Sequence, residues 1–288
     1  MKNKVLILSL IIAQGAFAYC TPDNDTCFEC GTNCIAELTY SKNESGDDVG
    51  TFTVYGTGEN GSGLMDGYLP TGSEPNRTTT APWKDKLQDI NNIVISDGIT
   101  NIGGYAFTGG KNFNHLELPQ SVQTIGRYAF MDGSLKSVNT LKYVDTIGSG
   151  AFYRNSLSEV ELSDNLERIE SSTFGYITQM KEINIPDSVE FVGYYAFYAL
   201  SDDSKVYCND EPAGRCESLF LGEVDTGLVR KKLIKYTVED GKYVIGRKTY
   251  ASIEDMNNGN YIKKRIYTID EANLVAKPTG NTVRIKYR

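Results

Sequence analysis

The 288-residue sequence is poor in the residues that most enzymes use for catalysis. It contains one histidine, His115, and no H-E-x-x-H or G-x-S-x-G motif. These motifs supply the metal ligands or the nucleophile of large hydrolase classes, so their absence argues against those chemistries. A lone histidine needs a serine or carboxylate partner for general base catalysis, whereas strand alternation places His115 on an outward column. We therefore predict a non-enzymatic protein, with a secreted enzyme of unknown chemistry as the alternative.

Long apolar runs are also scarce. Lys2 and Lys4 precede an apolar run at residues 5–12, and Ala16-Phe17-Ala18 has the small-x-small pattern of a cleavage site. This arrangement predicts a signal peptide at residues 1–18, cleaved before Tyr19. No later stretch approaches the ~18 consecutive apolar residues of a membrane span. We therefore expect no transmembrane segment in the mature chain, and a protein that is secreted, displayed at the cell surface or held in the periplasm.

Six cysteines follow the predicted signal peptide, and an even number in an exported chain indicates disulfides. Cys208 and Cys216 are close in sequence and distant from the others, so we predict that they pair. Zinc bound to the closely spaced N-terminal thiolates is a weaker alternative, because export favours their oxidation. The sequence leaves three pairings open for the remaining four, Cys20, Cys27, Cys30 and Cys34.

A glycine-rich segment matches the dinucleotide-binding fingerprint. The segment is Gly56-Thr57-Gly58-Glu59-Asn60-Gly61, and it follows a predicted strand. The fingerprint also requires a helix immediately afterwards, and two glycines and Pro70 interrupt the sequence there. We therefore predict no cofactor and no bound metal.

The dominant feature of the sequence is a phrase that occurs five times. Each copy runs from an apolar-x-apolar strand through a turn to a closing phenylalanine. A period this regular predicts a solenoid in which each unit stacks on its neighbours. The closing residues, at intervals of 23, 22, 22 and 23, are Phe107, Phe130, Phe152, Phe174 and Phe197.

The repeats resemble the BspA-type leucine-rich repeat family. The Leu-x-x-Leu-x-Leu strand pattern is clearest in Phe113-Asn114-His115-Leu116-Glu117-Leu118, and the rest of the phrase in Leu118-Pro119-Gln120-Ser121-Val122 and Arg127-Tyr128-Ala129-Phe130. The resemblance implies a leucine-rich repeat solenoid, with parallel strands on the concave side and short helical or irregular turns on the convex side. It also implies a secreted or surface-exposed, non-enzymatic protein used for adhesion or host contact.

Four regions are predicted along the chain: the signal peptide 1–18, a cysteine-containing β-rich cap 19–86, the repeats 87–218 with a disulfide cap, and a small α+β module 219–288. The cap should contain a hairpin of residues 36–40 and 51–55, followed by a helix at 83–89. Residues 1–218 have a net charge of −14 (15 basic, 29 acidic) and 219–288 of +6 (14 basic, 8 acidic), which favours a separate module. In this module we expect a hairpin of residues 232–238 and 242–247, helices at 252–256 and 269–277, and a strand at 282–287.

The outward columns of the strands form the candidate binding face. Like charges on neighbouring strands repel by about a few tenths of a kcal/mol, so clustered glutamates favour a functional role over simple solubility. We predict that this face receives a protein segment of basic character or a cation-bridged glycan, with Tyr128, Tyr153 and Tyr195 on the turns as secondary contacts. The predicted face comprises His115, Glu117, Asn139, Glu159, Glu161, Glu182 and Asn184.

Two other roles concern the basic C-terminal module and the cell envelope. The basic clusters of the C-terminal module could contact a cell envelope or dock against the acidic repeats of the chain itself. Nucleic acid is not expected as a partner, because an exported, net acidic chain rarely meets it. A purely structural role in the envelope is the remaining alternative to binding.

Overall fold

The structure is a computed structural model in which residues 20, 25–73, 77–220, 225–227, 233–239, 241–245, 248–252, 255, 267–270 and 275–278 are described. The predicted signal peptide and the predicted strand at 282–287 lie outside the described residues, as does most of the predicted helix at 252–256. No helix in the described part of the chain is long and apolar enough to cross a membrane.

The N-terminal region is an antiparallel sheet that continues into the repeats. Its strands are β1 (Cys27–Gly31), β2 (Cys34–Lys42) and β3 (Asp48–Gly56), and β2 and β3 form a hairpin. A small ribbon of β4 (Pro70–Thr71) and β5 (Thr78–Thr79) follows in the next loop. Disulfides Cys20–Cys27 and Cys30–Cys34 close this region, which resolves the pairing that the sequence leaves open.

Trp83 joins this N-terminal region to the first repeat. It precedes a 3-10 helix at Lys84–Asp89 and has no exposed surface. Its ring centroid lies 5.0 Å from that of Phe52 on β3 and 5.6 Å from that of Phe107 in the first repeat. The indole Nε1 donates a hydrogen bond of 2.9 Å to the carbonyl of Ala106. The buried indole therefore has its polar atom satisfied while it packs both layers together.

The repeats form a solenoid in which each turn contributes to two columns of short parallel strands. The strands are short because each repeat turns away after two to six residues. In chain order they are β6 (Ile90–Ile95), β7 (Asn101–Ile102), β8 (His115–Glu117), β9 (Thr124–Ile125), β10 (Ser137–Val138), β11 (Thr146–Ile147), β12 (Glu159–Val160), β13 (Arg168–Ile169), β14 (Glu182–Ile185), β15 (Phe191–Val192) and β16 (Lys205–Asn209).

The even-numbered strands from β6 to β16 form the first column, and β7 to β15 form the second. β3 pairs in parallel with β6, so the N-terminal sheet is continuous with the first column. We number the repeats 1 to 6 from β6, β8, β10, β12, β14 and β16. The first column therefore has one more strand than the five copies of the phrase predict. β16 was missed because no Ala-Phe closes its turn.

A stack of phenylalanine rings runs through the core as the spacing predicts. Successive centroids of the five closing phenylalanines are 5.3, 5.6, 5.9 and 5.9 Å apart, with interplanar angles of 4°, 6°, 2° and 19°. Each of their N–H groups donates to a carbonyl of the following turn at 2.8 to 3.1 Å. At the C-terminal end, Phe220 continues the stack 5.8 Å from Phe197. Phe197 is therefore packed on both sides.

Both strand columns are interrupted between repeats 3 and 4. β10 does not pair with β12, nor β11 with β13, and one isolated bridge joins Leu141 to Leu162. In repeat 3 the third apolar position is occupied by Thr140, and Leu141 takes the buried place instead. A shift of one residue reverses the side to which a strand residue points, so pairing with the next repeat is lost. We call this interface the seam.

The glycines that follow Ile102, Ile125, Ile147 and Val192 act through close packing, and Glu170 takes this position in repeat 4. Gly126 has a negative φ, and a Cβ placed on it would lie 2.4 Å from the amide nitrogen of Gly104 in the preceding repeat. The left-handed conformation occurs two residues later, at Tyr105, Tyr128, Gly150, Ser172 and Tyr195, with φ of 56° to 63°. Glycine is thus needed where neighbouring turns touch, whereas mostly non-glycine residues take up the backbone strain.

A short helix and a disulfide end the repeats. Helix α1 (Arg215–Phe220) carries Cys216, which pairs with Cys208 on β16 as the sequence predicts. The Arg215 guanidinium donates to the carbonyls of Asn209, Pro186 and Val189 at 3.0, 2.9 and 2.8 Å. One side chain therefore satisfies carbonyls at the exposed end of repeat 5 and on β16.

The described part of the C-terminal module extends the first column. Strand β17 (Leu233–Glu239) pairs in parallel with β16, and β18 (Lys242–Ile245) and β19 (Lys248–Tyr250) add two antiparallel strands. The predicted helix at 269–277 is wrong. β20 (Tyr267–Asp270) and β21 (Val275–Pro278) instead form an antiparallel pair. The capping-box pattern was outweighed there by the strand preference of Tyr267-Thr268-Ile269.

Candidate binding face

The first strand column carries the residues predicted to bind a partner. Its outward side chains alternate with buried ones along each strand, as strand geometry requires. Glu117, Glu159 and Glu161 are exposed, and His115 and Glu182 are half-buried. We use the name acidic face for the set Glu117, Glu159, Glu161 and Glu182.

The structure brings only part of the acidic face together. Glu159 and Glu182 are direct partners in the parallel register of β12 and β14. Glu161 lies two residues beyond Glu159 and is 3.8 Å from the Lys142 ammonium, in an exposed and therefore weak ion pair. Glu117 lies on β8, separated from Glu161 by repeat 3 and by the seam. The predicted cluster is thus a compact group in repeats 4 and 5 with one outlying member.

Lys205 places a positive charge beside the C-terminal end of the acidic face. It is the register partner of Glu182 on β16. Glu159 and Glu117 form no ion pair with any described residue. The uncompensated negative charge is therefore greatest in repeats 2 and 4.

Two of the predicted residues contact the protein itself. The Asn139 amide donates to the Leu118 carbonyl at 2.9 Å and accepts from the Leu118 N–H at 2.9 Å. The Asn184 Oδ1 accepts a long hydrogen bond of 3.5 Å from the hydroxyl of Tyr236. Asn139 thus fastens repeat 3 to repeat 2, and Asn184 lies beneath the C-terminal strands.

His115 has no geometry that indicates catalysis. Its Nδ1 is 2.8 Å from the Ser137 hydroxyl on the neighbouring strand. The two best-defined depressions in the described structure contain neither residue, and the larger, of about 280 Å³, lies at the seam beside Asp145, Glu167 and Arg168. His115 and Ser137 thus form a side-chain contact between neighbouring strands of the first column.

The C-terminal strands cover the end of the binding face. Tyr207 on β16 points outward yet has only 2% of its surface exposed, because Tyr236 and Tyr250 pack against it. Burial, followed by the nearby Glu182, raises the pKa of the Tyr207 hydroxyl to about 12. The open part of the face therefore ends at repeat 5.

The turns carry further tyrosines beside the predicted contacts Tyr128, Tyr153 and Tyr195. Tyr128 packs 5.2 Å from Tyr105, and its ring occupies the space left by Gly150. Tyr153 and Tyr195 each lie in a group of further tyrosines that includes Tyr176, Tyr194 and Tyr198. The last three were missed because they occupy different positions in their repeats, so no sequence column contains them all.

The glycine-rich segment and the cysteines have structural surroundings in the described part of the chain. The glycine-rich segment leads into a 3-10 helix at Glu59–Gly61, and the β4 ribbon follows it. No group of three or more His, Cys, Asp or Glu side chains with the geometry of a metal site occurs among the described residues. All six cysteines are in disulfides.

The repeat geometry agrees with comparisons to known proteins. A family model described as a BspA type leucine rich repeat region matches residues 85–202 in six copies. The repeat region belongs to the BspA-type leucine-rich repeat family. The BspA-type match covers repeats 1 to 5, ends before β16, and leaves both ends of the chain outside it. No curated protein matches the chain.

Several solved structures of bacterial leucine-rich repeat proteins are similar to this chain. A leucine-rich repeat protein from Eubacterium ventriosum is 20% identical with a TM-score of 0.47, covering 76% of this chain and 48% of its own. A leucine rich cell surface protein from Faecalibacterium prausnitzii is 16% identical with a TM-score of 0.37, covering 78% and 59%. A leucine-rich repeat protein from T. pallidum is 16% identical with a TM-score of 0.37, covering 68% and 89%. The chain thus spans about half the length of the first and about three-fifths of the second.

Proposed function

We propose that this protein is an exported, non-enzymatic surface protein that binds a partner through its acidic face. The observation that carries the proposal is the pairing of Glu159 with Glu182 in register on adjacent strands. Two carboxylates directly opposite each other weaken a sheet, and Glu159 has no compensating cation among the described residues. A basic segment of a protein partner would remove this repulsion on binding.

The geometry supports a protein segment bound along the strand column. The outward side chains of repeats 1 to 5 form an open surface, and the covered end at Tyr207 sets its C-terminal limit. Complementary charge mainly increases the association rate and the specificity of such an encounter. An adhesive role follows if the partner is fixed to a host surface or to another cell.

A double charge reversal tests the proposal. Glu159→Lys with Glu161→Lys should weaken binding to the partner at least ~10-fold at low salt, and the difference should shrink as salt screens the charges. The partner is first isolated by passing host matrix proteins over the immobilised mature protein. Unchanged affinity in a folded variant would place the partner elsewhere on the molecule.

A matched control separates local from overall charge. Glu167→Lys with Glu190→Lys changes the net charge equally, and both glutamates are exposed next to the second column. This control should bind with wild-type affinity. Equal weakening by both variants would show that only the net charge of the protein matters.

A further inference from the structure

Five tyrosines form a continuous chain of ring contacts across the turns of repeats 3 to 5. The contacts run from Tyr153 to Tyr176 at 5.3 Å, to Tyr198 at 5.2 Å, to Tyr195 at 4.7 Å and to Tyr194 at 3.8 Å between centroids. The interplanar angles of 76° and 61° at Tyr176 mean that ring faces and ring edges alternate along this path. We call this set the tyrosine chain.

The tyrosine chain is exposed although its rings are in contact. Tyr176, Tyr194 and Tyr198 have 37%, 49% and 38% of their surface accessible. The other exposed large apolar residues, such as Tyr40 and Tyr143, are not part of any ring contact among the described residues. Contiguous exposed aromatic surface is uncommon on soluble proteins and marks interaction sites.

The buried carboxylate of Asp132 holds the Arg154 guanidinium against the tyrosine rings. The Arg154 guanidinium lies 5.2 Å from the Tyr153 centroid and 5.3 Å from that of Tyr176. The carboxylate of Asp132, only 2% exposed, is 3.3 Å from the same guanidinium. Because the aspartate is buried and the arginine is stacked, the guanidinium is positioned in advance, and its charge is balanced.

The hydroxyl groups add polarity without adding charge. A hydrogen bond with Tyr194 is the main cause that raises the pKa of the Tyr195 hydroxyl, and nearby Asp225 acts in the same direction. The chain therefore presents apolar rings, neutral hydroxyls and a neutralised guanidinium. Apart from the Asp225 carboxylate at the Tyr195 end, the described contacts of the tyrosine chain carry no net charge that would favour a strongly charged ligand.

We propose that the tyrosine chain is a second binding site, which takes an uncharged polysaccharide lying along the solenoid axis. A sugar ring has an apolar face of C–H groups and a rim of hydroxyls, which match the faces and hydroxyls of tyrosine. The step from Tyr153 to Tyr176 and then to Tyr198 advances one repeat at a time, so a ligand with repeating units meets a similar contact at each step. Tyrosine loses little conformational entropy on binding, which favours contacts of this kind.

This site is separate from the acidic face and does not depend on it. Its rings lie on the turns around the closing phenylalanines, with Tyr194 and Tyr195 just before Phe197 and the other three just after Phe152, Phe174 and Phe197. The acidic face lies on the first column. Binding to an uncharged ligand should be nearly independent of salt, whereas binding through the acidic face should be sensitive to salt. Failure of one proposal is therefore distinguishable from failure of the other.

The test measures retention of the mature protein on insoluble or gel-embedded polysaccharides. The panel contains uncharged glucans, xylan and mannan, together with heparin and a polyproline peptide. We expect the wild type to be retained by at least one uncharged polysaccharide, with little effect of salt. Tyr176→Ala with Tyr198→Ala should reduce this affinity at least ~10-fold, since several aromatic contacts are lost.

Two further variants separate loss of contacts from loss of fold. Tyr40→Ala with Tyr143→Ala removes two exposed tyrosines elsewhere and should leave retention unchanged. Tyr176→Phe with Tyr198→Phe keeps the rings and removes the hydroxyls, so it should bind with intermediate affinity. The proposal is overturned if no uncharged polysaccharide is retained, if the alanine variant binds like the wild type, or if only heparin or polyproline is bound.

Discussion

Replacing Phe152 with alanine should make the two ends of the solenoid unfold separately. Phe152 has no exposed surface and stacks on Phe130 and Phe174 at 5.6 and 5.9 Å. Its stacking on Phe174 therefore crosses the seam, where neither strand column is continuous. In a repeat protein the whole array unfolds together only while each interface is strong enough to couple its neighbours.

The magnitude follows from the contacts at each interface. Between repeats 2 and 3, the N–H groups of Asn139, Asp145 and Gly148 donate to repeat 2 at 2.8 to 3.1 Å. The corresponding N–H groups of repeat 4, all described, make no such bond to repeat 3. One bond crosses the seam in their place, from the Leu141 N–H to the Glu161 carbonyl at 3.1 Å, so the difference is two hydrogen bonds. At about 0.5 to 1.5 kcal/mol for each bond, the seam is weaker by about 1 to 3 kcal/mol. Loss of the Phe152 ring removes about 3 to 5 kcal/mol more.

The single tryptophan makes the two halves distinguishable. Trp83 lies in the core before the seam, so its fluorescence follows the N-terminal half, whereas far-UV circular dichroism follows both halves. In urea, the wild type should give coincident transitions. In Phe152→Ala, part of the circular dichroism signal should be lost while the Trp83 signal remains native.

Phe130→Ala is the matched control. Its ring is equally buried, but both interfaces that it touches keep their strand pairing. It should lower stability by a similar amount and still unfold in one transition. Coincident transitions and an unchanged slope in Phe152→Ala would refute the idea that the seam limits cooperativity.

Three further predictions concern the C-terminal end and the cysteines. Arg215→Met should destabilise the protein by about 2 to 4 kcal/mol in urea unfolding, because the carbonyls that it satisfies lose their donors, and an effect below 1 kcal/mol would contradict this role. The pKa of Tyr207 is raised from 10.0 to about 12, so its contribution of about 2 to 3 kcal/mol is complete below pH 10 and is lost as the pH rises through 12. Tyr207→Phe should therefore lose less stability than the wild type between pH 10 and 12, and equal losses would assign the effect to other groups. Thiol labelling of the denatured, unreduced protein should modify no cysteine, and the Cys208–Cys216 link, worth about 2.5 kcal/mol by loop entropy, should appear in a peptide map.

The repeats were predictable because the contacts that stabilise them recur at a fixed interval in the sequence. A phenylalanine at each closing position must stack on the next one, and the apolar-x-apolar strand must pair with its neighbour. The sixth strand was harder to recognise, since its turn is closed by Phe220 on a helix and lacks the Ala-Phe phrase. The seam depends on one substitution, Thr140, whose effect on register appears only when the neighbouring strand is present.

The binding surfaces were only partly predictable. Strand alternation identified the outward glutamates, but it treated all strands as equally spaced and so grouped Glu117 with the others. Asn139 is exposed, as alternation predicts, but its amide also hydrogen-bonds to the backbone of repeat 2, which the sequence pattern does not reveal. The tyrosine chain combines residues from four different positions of the repeat, so only the three-dimensional arrangement brings them together.

The change of strand direction at both ends has a consequence for molecules that meet end to end. Stacked parallel repeats could in principle continue from one molecule into the next, which would build a filament. Here the column passes into antiparallel strands, β2 and β1 at one end and β18 and β19 at the other. After two reversals, the outermost described strands, β1 and β19, run parallel to the repeats again, but neither pairs in a second strand column. An incoming copy would therefore find only part of a repeat on which to stack. The protein can thus be built from stacked repeats and still remain a unit of fixed length.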